Sequence, residues 1–228
     1  MDMSTLIAED LLLLLLDDNK GTTPSGTAVS TALGGAVLLE LALAGAVDAG
    51  KRSRWKQPKV HVVDAARVTD PLLARAVRTI AEKDRTAQSL VNKIGKGLKT
   101  ELAERMVKRG LLDRHDTEVL GIRRTRFPAL DTGHKNELKK AITTVLVRQV
   151  PPDDRAGALI ALLSAVDRAH KTVDGSDVPG RELKKRAKKV AEGAWAADAV
   201  RDAVAAATTA ITTATIAAAA AGTSNGGG

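Results

Sequence analysis

The stretch AEDLLLLLLDD, residues 8–18, sets six consecutive leucines between two pairs of acids. Six helical residues rise only about 9 Å, against roughly 30 Å of hydrocarbon in a bilayer. A secretory signal needs basic residues ahead of its apolar run. Here Asp2, Glu9 and Asp10 precede it, and Asp17 and Asp18 follow. A helix with leucine on every side is one buried on most sides. The pattern predicts a first helix over about residues 4–16, capped by Ser4, inside a core that starts near residue 5.

Outward from that helix, Gly21, Pro24 and Gly26 mark a loop. A second helix is expected at 28–44. Leu38, Leu39, Leu41 and Leu43 give it a wide apolar face, Gly34 and Gly35 allow close packing, and Gly45 fits a helix stop. The period then changes. AVDA (46–49) and VHVVDA (60–65) are short and valine-rich, which predicts strands around the basic loop GKRSRWKQPK. Helix, strand, basic loop, strand is also the plan of a winged-helix unit. Asp70 and Pro71 open the next helix, which runs to about 82. Helices follow at 86–95 and 98–109. LLDRHDTEVLGI (111–122) reads as a hairpin turning near His115 and Asp116. Further helices are expected at 134–149, 153–170, 179–192 and 195–220. Residues 203–223 carry no charge but are mostly Ala and Thr, which predicts a closely packing helix rather than a membrane span. The expected fold is mostly α: a single globular helical domain over residues 1–221 with one or two small β-hairpins, and a disordered tail at 222–228.

The 228 residues hold 35 Lys plus Arg against 27 Asp plus Glu, a formal charge of +8, which favours anionic partners: nucleic acid or the anionic face of a membrane. Aromatics are 1% of the chain (Trp55, Trp195 and Phe127), too few for base-stacking platforms. The absence of cysteine excludes disulfides, thiolate metal sites and Cys nucleophiles, and is compatible with a reducing compartment. The histidines, 61, 115, 134 and 170, make no metal-ligand spacing, and neither a GxSxG elbow nor a GxGxxG turn is present. Asp17–Asp18 and Asp153–Asp154 are adjacent pairs whose carboxylates point apart on a helix, and Asp153–Asp154 suits a helix start. No enzyme activity, metal or cofactor is expected.

Cations collect in four places. Lys51, Arg52, Arg54, Lys56 and Lys59 surround Trp55, with no acid among residues 49–63. Such a loop suits a membrane interface, where an indole sits at headgroup depth and each cation adds about 1 kcal/mol near an anionic surface; the plain alternative is a solvated loop. Lys93, Lys96 and Lys99 align on one face if their helix is unbroken. Gly95 and Gly97 among them would let backbone N–H groups approach an anion, aided by a helix start near 98. KIGKG lacks the ending of a phosphate-binding P-loop. Arg123, Arg124 and Arg126 form the third group. The fourth, RELKKRAKK (181–189), reads as an ordinary solvated face with Leu183, Ala187 and Val190 inward.

EDLLLLLLDDNKG (9–21), ALGGAVLLELALAGAVDA (32–49), LAERMVKRGLLDR (102–114) and RFPALD (126–131), in that order, resemble the Golgi phosphoprotein 3 family over roughly residues 5–170. Alanine, arginine and valine bias suggests a bacterial member. The resemblance implies a mostly helical domain, a β-hairpin that mediates self-association, and a peripheral membrane protein. Eukaryotic members bind phosphatidylinositol 4-phosphate through a tryptophan and several arginines and help retain glycosyltransferases. By alignment Lys96 and Lys99 stand where two of those arginines lie, the tryptophan falls near Ser25 and a third arginine at Gly34, so half of that site is replaced.

The expected function is therefore a non-enzymatic adaptor that binds anionic, phosphoinositide-type headgroups. Lys96 and Lys99 would hold the headgroup, and Lys51, Arg52, Arg54, Trp55, Lys56, Lys59, Arg123, Arg124 and Arg126 would touch the membrane surface. Its partners would be anionic lipid, protein cargo and a second copy through the 111–122 hairpin, at the cytoplasmic, inner face of a membrane. The alternatives are a winged-helix nucleic-acid binder and a self-assembling structural module. Against the first, the 28–44 helix offers only Ser30, Thr31 and Glu40 to read bases.

Overall fold

The computed structural model describes residues 5–24, 27–49, 59–119, 122–196 and 198–223. The leucine run forms α1 (Ile7–Leu15), and Leu11, Leu12, Leu13, Leu15 and Leu16 are all buried. Burial on every side has a plain cause. α1 packs against α2 (Thr27–Leu43), α5 (Leu98–Lys108), α6 (Gly133–Arg148) and α7 (Asp154–Ala165). Each fully buried leucine contributes about 1.5–3 kcal/mol of transfer free energy. The helix begins at Ile7 rather than near residue 4, with Leu6 at its cap position, and Ser4 lies outside the described residues. The Glu9 carboxylate closes that cap by accepting the Leu6 N–H at 2.8 Å.

α2 is the second axis of the core. Its stretch from Thr31 to Leu39 is buried, and its partners include α4 (Ala87–Gly95) and α9 (Asp198–Thr223). Small residues set these distances. A Cβ on Gly34 would lie 2.1 Å from the Val91 carbonyl oxygen, and one on Gly95 would lie 2.0 Å from that of Ser30, so α2 and α4 touch backbone to backbone. On the neighbouring side Gly35 faces Ile211, Leu162 and Ala207. The alanine-rich segment is thus a core helix, with Ala203, Val204, Ala207, Ala210 and Ile211 buried. Among the described residues no helix is long and apolar enough to cross a membrane. α9 continues through Thr223, two residues past the expected end of the domain, and residues 224–228 lie outside the described residues.

Gly45, at φ +66°, ends α2 and turns the chain into β1 (Val47–Ala49). β1 pairs antiparallel with β2 (Lys59–Val62), Val47 opposite Val62. The sequence does not announce β3 (Arg85–Thr86), which adds to the other edge of β2 with Thr86 opposite Lys59. Between them, α3 (Pro71–Ala81) starts as Asp70 and Pro71 predict, the Asp70 carboxylate accepting the N–H groups of Leu72 and Leu73.

The second hairpin differs from expectation. Its strands are β4 (His115–Val119) and β5 (Ile122–Arg126). His115 is therefore the first strand residue, not the turn, and the Arg123–Arg126 group lies on β5 rather than after the hairpin. Leu111 and Leu112 belong to the core, bridged at Leu112 to Ala129. That anchoring moves the strand pairing outward, and Leu120 and Gly121 lie outside the described residues. Residues 115–118 and 124–126 are exposed, so the ribbon's side chains on both faces meet solvent over those positions. α7 begins at the Asp153 cap (to Ala156 N, 2.7 Å). α8 (Gly180–Ala191) buries Leu183 and Ala187 and leaves its lysines outward, as expected.

Candidate functional site: the α4–α5 corner

Lys96 ends α4, Gly97 turns the backbone at φ +75°, and Lys99 lies in the first turn of α5. The interruption at Gly95–Gly97 overturns the single basic face expected for Lys93, Lys96 and Lys99. Lys93 stays on α4, where its ammonium is 2.7 Å from Glu82. Lys96 and Lys99 have no acidic partner among the described residues. Lys96 is exposed and Lys99 half-buried. Gly97 has no side chain to cap α5, so the first amides of that helix end between the two lysines. Free helix-start N–H groups carry partial positive charge and suit an anion.

The corner stands on a rigid base. Arg105 on α5 and Arg109 at its C-terminal cap both reach the fully buried Glu9 of α1, at 2.9 and 3.0 Å. Arg105 also holds Asp70 at 2.6 Å. Burial pushes the Asp70 carboxyl up, but Arg105 and the Leu72 and Leu73 amides outweigh it and hold Asp70 below its ordinary range. Next to Glu9, the buried Asp10 accepts from Thr5 Oγ1 (2.6 Å), His134 Nε2 (2.8 Å) and Arg155 (2.5 Å). Glu40 of α2 accepts the Ile7 N–H at 2.5 Å. Burial pushes Glu40 up to about 7, with Asp10 and Glu9 adding to it against the pull of the Ile7 amide and Arg155. These acids tie α1 to α2, α3, α5, α6 and α7. The i, i+4 arginines of RMVKR were the available sequence signal for this network.

The other expected contact residues lie elsewhere. Lys51, Arg52, Arg54, Trp55 and Lys56 fall outside the described residues, as does Ser25. Lys59 pairs with Asp84 at 2.8 Å, and its strand partner Thr86 caps the start of α4. The far end of that nine-residue helix, where Lys96 sits, is about 14 Å along the axis. Arg124 and Arg126 are exposed on β5, beyond the opposite end of α5 from Lys99, and the Arg123 side chain lies outside the described set. The cations so far placed do not gather into one pocket. Gly34, where the family's third arginine would fall, has no room for any side chain, because the Val91 carbonyl fills the space.

Among the described residues no group of acids and histidines could hold a metal ion. The fold and corner define a class: a helical scaffold that presents two lysines, unpaired among the described residues, around a helix start, with its buried carboxylates engaged in holding helices together. A model of the Golgi phosphoprotein 3 (GPP34) family matches residues 7–207, and the chain belongs to that family. The match extends past the motifs legible to about residue 170, through α8 and into α9. The family is of a non-enzymatic, adaptor type. No curated protein matches the sequence.

Proposed function

We propose that this protein binds anionic, phosphoinositide-type lipid headgroups from the aqueous side of a membrane and serves there as a non-enzymatic adaptor. The observation that carries the reading is the α4–α5 corner, where Lys96 and Lys99 flank a helix start that has no side-chain cap, neither lysine is paired with an acid among the described residues, and the first-turn Glu101 is engaged by Arg75 at 2.5 Å. Family membership supports an adaptor of this kind, and the resemblance read from the sequence sets Lys96 and Lys99 against two headgroup arginines. Lysine keeps the charge but gives up the bidentate fork, and Gly34 excludes the third arginine. Headgroup selectivity is therefore weaker than in the eukaryotic relatives, and binding is dominated by charge. Cations spaced over the molecule suit a surface better than a pocket, because a lipid sheet can meet several of them at once. Arg124 and Arg126, with the 51–59 loop, supply further contacts in this reading, and the hairpin or a cargo protein completes the adaptor.

The test is vesicle flotation of the full chain at low and physiological salt. Recovery is expected with phosphatidylcholine vesicles containing phosphatidylinositol 4-phosphate, and is expected to fall as salt rises, because exposed charges are screened within about 8 Å at physiological ionic strength. The Lys96→Glu/Lys99→Glu variant should lose most of that recovery. Equal recovery on pure phosphatidylcholine, or an unaffected variant, removes the proposal.

The nucleic-acid reading loses its main element. The helix ahead of the wing-like sheet is α2, and α2 is buried from Thr31 to Leu39. A recognition helix must lie in the major groove, and this one lies in the core.

A further inference from the structure

The loop after α1, the first turns of α6 and the 3-10 turn at Ala169–Lys171 enclose an open cavity of about 590 Å³. Neither Lys96 nor Lys99 lines it. Among the described residues its walls carry five cations against two acids. Lys135, 4% exposed, donates to the Leu16 carbonyl (2.6 Å) and to Asp18 (2.5 Å). Lys139 is held by Asp174 at 3.0 Å. Lys20, Arg168 and Lys171 remain, with no hydrogen-bond or ion-pair partner for their side chains among the described residues. Asp17 is committed to the turn itself, its Oδ1 accepting the N–H groups of Asn19 and Lys20.

The frame is fixed. Gly21 sits at φ +60°, and a Cβ there would lie 2.4 Å from Pro128 N. Phe127 N donates to the Gly21 carbonyl at 3.0 Å. The loop that carries Lys20 is thereby clamped to the segment that follows β5, and the buried Lys135 ties it to α6. The backbone of the site is thus held in place, and the entropy cost of binding falls mainly on the exposed Lys20 and Lys171 side chains. The volume lies in the range of small-ligand sites, roughly 300–1,000 Å³.

We propose that this cavity is a second anion site, separate from the α4–α5 corner, and that it takes a phosphate monoester on a small hydroxyl-rich scaffold. Lys20, Arg168 and Lys171, set against the Asp17 carboxylate that interacts with Lys20, leave two net positive charges, which match a dianionic phosphoryl group. Among the described residues the lining includes Thr22 and Thr23 and no aromatic side chain, which suits a polyol better than a nucleobase that needs a ring to stack on. The same chemistry is presented by a soluble sugar phosphate and by a monoester lipid headgroup.

Titration calorimetry of the full chain with glucose 6-phosphate, glucose and inorganic phosphate reads the soluble source. Flotation on phosphatidylcholine vesicles containing phosphatidic acid reads the lipid source. Saturable binding of glucose 6-phosphate, weaker binding of phosphate and none of glucose are expected. Arg168→Gln/Lys171→Gln should weaken binding about tenfold per residue, the worth of one charge-assisted hydrogen bond. Lys185→Gln on α8 and Lys96→Glu/Lys99→Glu should leave glucose 6-phosphate binding unchanged, which separates this site from the corner. If glucose 6-phosphate is silent and adding Arg168→Gln/Lys171→Gln to the Lys96→Glu/Lys99→Glu protein removes its remaining recovery on phosphatidic acid vesicles, the monoester chemistry stands with a lipid as its source. Silence of the sugar phosphate together with unchanged flotation, or unchanged sugar-phosphate affinity in the variant, overturns it.

Discussion

Glu40 offers the sharpest test of the buried acid network. Its carboxyl lies between α1 and α2, accepts the Ile7 N–H, and is pushed from an ordinary 4.5 up to about 7, mainly by burial. A carboxyl raised in the folded state binds its proton more tightly there than in the unfolded chain. Folding therefore loses stability as pH climbs from about 4.5, and the loss is complete above about 7. At about 1.4 kcal/mol per pH unit, the gap amounts to roughly 3 kcal/mol at pH 8. Glu40→Gln removes the ionisation and keeps an oxygen for the Ile7 amide. That oxygen is a weaker acceptor than a carboxylate, so a net gain of about 2–3 kcal/mol at pH 8 is expected. Near pH 5 the two proteins should be nearly equal. Urea unfolding of both proteins across pH 5–8 gives the difference directly, and Asp70, held low, titrates below that window. Two parallel curves, or a variant less stable at pH 8, would refute the reasoning.

Further outcomes follow from the same contacts. Gly95→Ala forces a methyl group against the Ser30 carbonyl. Because both neighbours are backbone, the helices must separate, and a loss of about 3 kcal/mol or more in denaturant unfolding is expected. Gly97→Ala meets nothing within 4 Å and suffers only from φ +75°, so its loss should be about 1 kcal/mol. Glu9→Gln leaves Arg105 and Arg109 without their buried charge and should cost about 3 kcal/mol by the same measurement. Arg186→Ala strips its guanidinium from the Leu146 and Val147 carbonyls at the end of α6 and should cost about 1–2 kcal/mol. Amide exchange should then quicken first in the last turn of α6.

Elements and their order were legible because their signals are local. Six leucines in a row fit only a buried helix, and Asp70–Pro71 fixes a helix start through one side chain and one ring. Gly45 ends α2 because only a residue without Cβ takes φ +66° at no cost. The first strand pair could be read from valine content. The family, too, was legible, since ordered motifs survive without a fold in view.

Tertiary structure decided the rest, for reasons of distance along the chain. β3 is two residues long and exists because β2 has a free edge. The second hairpin moved because the core claimed Leu111 and Leu112 before any strand could. Gly34, which in sequence looks like a lost arginine, is a contact point that α4 requires. Lys96 and Lys99 meet at a helix start only because the chain breaks at Gly97, which parts them from Lys93. Lys20, Arg168 and Lys171 converge across most of the sequence, and no window short enough to show a pattern contains them all. Charge in a sequence fixes how much positive potential a protein has; folding alone determines which cations keep an acid beside them and which are left to bind something else.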